Sequence, residues 1–94
     1  MQKNDQLLMQ LIYMFHTSAM QGLGKIADPT GQVKYNLEYV SQTIDLMEML
    51  KVKTKGNILG EIEKVLDELI SELCLNYVDE KSKAENKVDE ENKK

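Results

Sequence analysis

The segment "KVKTKGN", residues 51 to 57, places three lysines on alternating positions ahead of a glycine and an asparagine. Lysines beside the free amides that open a helix attract phosphate, so Lys51, Lys53, Lys55, Gly56 and Asn57 form a candidate anion contact, with Lys25 and Lys34 as more distant contributors. The same residues also suit a turn between two helices. Lysines in a last helical turn complement its negative end, Gly56 supplies a left-handed residue past the helix, and Asn57 can cap the next one. The P-loop spacing of glycine, four residues, glycine, lysine and a hydroxyl residue is absent. The turn reading is therefore the stronger, and phosphate or RNA binding at this corner is the alternative.

Other chemically capable residues have structural readings that outweigh functional ones. His16 stands at the border of an apolar helical face with no cysteine or carboxylate near it in sequence, which suits a packed histidine. Cys74 falls near a helix C-terminus, where the dipole disfavours a thiolate. Glu61, Glu63, Asp67, Glu68 and Glu72 are numerous enough for an acid and base pair, but most fall on a solvated helix side. One cysteine and one histidine cannot complete a zinc site, and no disulfide can form within the chain. No catalytic residue, cofactor or metal is expected.

The elements that would position these residues are helices. From about Asp5 to Gly22, steps of roughly 100° bring Leu8, Leu11, Ile12, Phe15, Ala19 and Leu23 to one face, widened by Met9, Tyr13, Met14 and Met20. Only Gln10, Thr17 and Gln21 make a polar stripe, so this helix must be covered over most of its girth. Turn residues Gly22, Gly24, Asp28, Pro29 and Gly31 follow. Asn36 caps a second helix to about Val52, with Glu38 in its first turn. Its apolar half carries Leu37, Tyr39, Val40, Thr43, Ile44, Leu46, Met47 and Leu50. A third helix from about Ile58 to Val78 presents Ile62, Val65, Leu66, Leu69, Ile70, Leu73 and Tyr77, and pairs with the second as an antiparallel hairpin.

Charge divides the chain. Residues 1–57 carry six lysines against five acids, and residues 58–94 six lysines against eleven. From Asp79 the only apolar residues are Ala84 and Val88, so the expected organisation is a helical domain over 1–78 and a disordered or frayed helical charged tail over 79–94. The apolar stretch near the start lacks the basic flank and cleavage site of a signal peptide and is too polar for a membrane span. A composition with 30% charged residues, no tryptophan, one proline and a Lys/Glu-rich tail suits a reduced, cytoplasmic setting.

The blocks "LGK" at 23–25, "DPTG" at 28–31, "QTIDLMEML" at 42–50, "KTKGN" at 53–57 and "LISELCLNYV" at 69–78 resemble, in order and spacing, the bacterial family known as domain of unknown function 1844. The resemblance spans most of residues 9–78 and implies no activity, substrate or catalytic residue. Two departures stand out. Relatives follow "GN" with leucine, threonine or serine, and proline, where this chain has Ile58, Leu59 and Gly60, which favours Asn57 as the cap. Relatives also carry arginines near the end of the third helix, where Cys74 and Asn76 stand here, weakening any shared basic surface.

The apolar girth of the first helix leads to the functional expectation. A non-enzymatic, self-associating all-α interaction module fits best, a homodimer or larger assembly with Leu8, Leu11, Ile12, Phe15, Ala19 and Met20 at the interface. A further protein partner fits the same surface, while the net charge of −4 disfavours nucleic acid.

Overall fold

The computed structural model describes the backbone of residues 2–92 and the side chains of residues 2–86. Three helices follow one another: α1 over Lys3–Gly22, α2 over Leu37–Thr54 and α3 over Gly60–Asn92. Each packs on the other two. α3 passes Val78 without a break, and residues 93 and 94 of the expected tail lie outside the described residues.

Local chemistry sets the helix ends. At the start of α1 the Asp5 carboxylate accepts the Gln2 backbone N–H at 3.1 Å. The end of α1 is a Schellman closure: Lys25 N–H donates to Met20 O at 3.0 Å and Gly24 N–H to Gln21 O at 3.0 Å, with Gly24 at φ +74°. Asn36 caps α2 as expected, its Oδ1 accepting the Tyr39 N–H at 3.1 Å. Between them the connection is pinned to α1, since Asn36 N–H donates to Gly22 O at 2.9 Å and Leu23 bridges Tyr35. Within the connection, Asp28 gathers the Thr30 hydroxyl and the Thr30 and Gln32 amides. These bonds hold its carboxyl below the usual aspartate range, the Thr30 hydroxyl contributing most.

The α2–α3 corner differs from expectation in one respect. Asn57 N–H donates to Thr54 O at 2.9 Å, and Lys55 (φ −56°, ψ 128°) and Gly56 (φ +80°) complete a type II turn. The first bonds of α3 instead run to Leu59 O, from Ile62 and Glu63. The helix therefore begins two residues later than expected, and Asn57 is turn rather than cap.

The core is Ile12, Ala19 and Leu23 from α1 and its exit, Val40, Thr43, Ile44 and Met47 from α2, and Ile62, Leu66, Ile70 and Leu73 from α3. Buried Thr43 satisfies its hydroxyl on Tyr39 O at 2.9 Å, so it fills core volume without an orphaned polar group. Gly22 is a contact point between α1 and α2. A Cβ there would stand 2.7 Å from Val40 Cγ2 and 3.3 Å from Asn36 O.

Candidate functional site

The lysine corner is weaker as an anion site than its sequence suggests. Lys51 Nζ lies 2.7 Å from Asp67 Oδ1 across the α2–α3 hairpin, a pairing that raises the lysine pKa. Lys53 and Lys55 form no ion pair among the described residues. The start of α3 that they flank carries Glu61 and Glu63 in its first turn, whose charge opposes an incoming anion. A shallow groove of about 620 Å³ lies beside Gly56, Asn57, Ile58 and Leu59, with Gln2 and Asp5 on its other wall. Its one charged wall residue is an acid.

His16 and Cys74 are brought into the bundle and kept apart from this corner. His16 Nε2 is shielded from solvent, with Glu72 Oε2 at 3.6 Å across the α1–α3 boundary. Burial, with Glu48 adding a smaller effect, pushes the Cys74 thiol above its ordinary range, away from thiolate chemistry. No group of three metal-ligating side chains occurs among the described residues.

The six candidate interface residues separate into two sets. Ile12 and Ala19 are 0% exposed within one chain and have no surface left to offer a partner. Leu8, Phe15 and Met20 are partly buried against the core, and Leu11 is 38% exposed. The reason is geometric: one arc of α1 already meets both α2 and α3, so the surface left open is centred about half a turn away. That open side is centred on the polar stripe of Gln10, Thr17 and Gln21 with Met14 among them, and Leu7, Leu11 and Ser18 form its edge toward α2. The spacing 7, 11, 14, 18, 21 alternates four and three, as in a helix-packing seam. No charged residue occurs in α1 after Asp5.

The second helix extends this surface, which sequence reasoning missed. Ser18 and Gly22 of α1 share a cleft with Tyr39 of α2, so Tyr39 lies on the α1 side of its helix. Leu46 stands two turns after Tyr39 and Leu11 two turns before Ser18, so all four belong to one face over the α1–α2 groove. Tyr39 is 42% and Leu46 45% exposed. The signal was present in the sequence as an apolar half-circumference on α2, wider than the narrow arc needed to meet two neighbours.

Electrostatics separates this groove from the others. The α1–α3 boundary carries His16 with Glu72, and the α2–α3 boundary Lys51 with Asp67. Among the described residues no ion pair joins α1 to α2. No helix among them is long and apolar enough to cross a membrane.

These features define a small all-α protein of three helices with exposed apolar side chains along its α1–α2 groove. The chain belongs to the family described as domain of unknown function (DUF1844), whose model matches residues 6–80. The match takes in all of α2, the α1–α2 groove beyond the first residues of α1, and α3 as far as Glu80. No curated protein and no solved structure matches the chain.

Proposed function

We propose that the protein is a non-enzymatic interaction module that associates with itself through the α1–α2 face. The observation carrying this reading is the set of Leu11 and Met14 on α1 with Tyr39 and Leu46 on α2, each more than a third exposed. An open apolar face of this kind on a small domain marks a contact surface, and a second copy supplies the extra core that a chain of this length lacks. The reading gives His16 and Cys74 packing roles, and Lys51 a cross-helix ion pair.

Light scattering on the full chain tests it. The expected result is a dimer or larger species that a Leu11→Glu variant disperses to monomer while keeping its helical circular dichroism. A full chain that stays monomeric at hundreds of micromolar would sink the proposal.

A further inference from the structure

The open face has an internal symmetry that selects how a second copy lies on it. On α2, Tyr39 stands seven residues before Leu46 and Lys53 seven residues after it, so the three share one stripe with Leu46 at its centre. On α1, Leu7 and Gln21 flank Met14 by the same interval. The two centres lie at one height, because the helices run antiparallel. Gly22 abuts Val40 at one end, and Gln2 and Asp5 share a groove with Gly56 through Leu59 at the other. Summing positions along the antiparallel pair sets Met14 beside the turn of α2 that holds Leu46.

Charge then decides the orientation. The α2 stripe is aromatic at its start, with Tyr39, and cationic at its end, with Lys53, while Glu38, about 100° round the helix from Tyr39, stands on its outer margin. Two copies with α2 parallel would set each α2 on the partner's α1, leaving Lys53 over a helix that offers no charge after Asp5. With α2 antiparallel, each Lys53 meets the partner's Tyr39 and the partner's Glu38, gaining a ring face as well as a carboxylate. The same rotation sets α1 against the partner's α1, an uncharged contact through Leu7, Met14 and Gln21. Lys25, the cation just past that helix, is already held by Glu80 at 2.8 Å.

Resting on the self-association reading, we infer that the occupant of this face is a second copy of the chain. It is related by a two-fold axis perpendicular to the helices near Leu46 and Met14, with α2 antiparallel to its counterpart and Lys53 seated on the partner's Tyr39 and Glu38.

A charge exchange tests the arrangement on the full-length protein, with dimer dissociation followed by sedimentation. Lys53→Glu and Glu38→Lys each place like charges together twice per dimer, so each weakens association about tenfold. The double variant restores the opposite-sign pairs and recovers most of that loss. Lys53→Ala, which introduces no repulsion, weakens association about threefold and serves if a reversal unfolds the chain. A wild-type dimer insensitive to Lys53→Glu and Lys53→Ala, or a double variant no tighter than the singles, overturns the antiparallel arrangement and leaves self-association standing. A monomeric wild type overturns both.

Discussion

Gly24 shows how closely one backbone position controls the junction of α1 with the connection to α2. Its φ of +74° lies where an L side chain costs about 1–2 kcal/mol, and an added Cβ would run into the Tyr35 ring. Gly56 has a similar φ of +80° but open space around it. Gly24→Ala is therefore expected to cost about 2–4 kcal/mol, joining backbone strain to overpacking, and Gly56→Ala only the backbone part, about 1–2 kcal/mol. Urea denaturation of the two variants separates the contributions, and equal losses would show that Tyr35 yields to the methyl group without cost. Both glycines were legible as turn residues from the sequence. The ring that crowds Gly24 was not, because Tyr35 reaches it only through the Leu23–Tyr35 bridge, eleven residues along the chain from the glycine.

At the scale of the elements, local pattern and long-range contact part company. Asn36 followed by Glu38 announced the start of α2, and the structure places the cap there. Asn57 looked equally suitable, yet the Thr54–Asn57 turn uses its amide and leaves Leu59 to receive the first bonds of α3. Past Val78 the residues of α3 are good helix formers such as glutamate, lysine and alanine, so helix persists where apolar residues end. What ties this stretch to the bundle is Lys25 Nζ on Glu80 Oε1 at 2.8 Å, a pairing across fifty-five positions that no periodicity reveals. The hydrogen bond from Lys25, with its charge and that of Lys83, holds the Glu80 carboxyl below the usual glutamate range. A carboxyl depressed in the folded state stabilises fully above its unfolded pKa and loses that contribution as pH falls through the folded value. Acidification is thus expected to release α3 around Glu80 before the core melts, seen as faster amide exchange there at pH 3–4 than at pH 6 after correction for intrinsic rates. Lys25→Met should return the Glu80 titration, followed by carboxyl NMR, to the ordinary range. An unmoved titration would place the cause elsewhere.

For the whole molecule, the informative contrast lies within α1 itself. Helical spacing showed that this helix is apolar around most of its circumference, and the bundle explains where that surface goes. Ile12 and Ala19 meet α2 and α3, whereas Leu7, Leu11 and Met14 meet neither closely enough to be covered. Sequence periodicity identifies apolar arcs; it does not divide an arc between neighbours in the same chain and neighbours in another, because that division depends on where the other helices stand. Stability measured against concentration makes the division visible. Ile12→Ala removes a fully buried side chain and is expected to cost about 2–5 kcal/mol, lowering Tm at every protein concentration. Leu11→Ala trims a side chain 38% exposed in one chain, so its cost should appear mainly where copies associate. In that case the wild-type Tm rises with concentration, the Leu11→Ala curve rises less, and the two converge on dilution. If the two curves stay parallel across a hundredfold range of concentration, Leu11 contributes to the single bundle alone and the open face is not where copies meet.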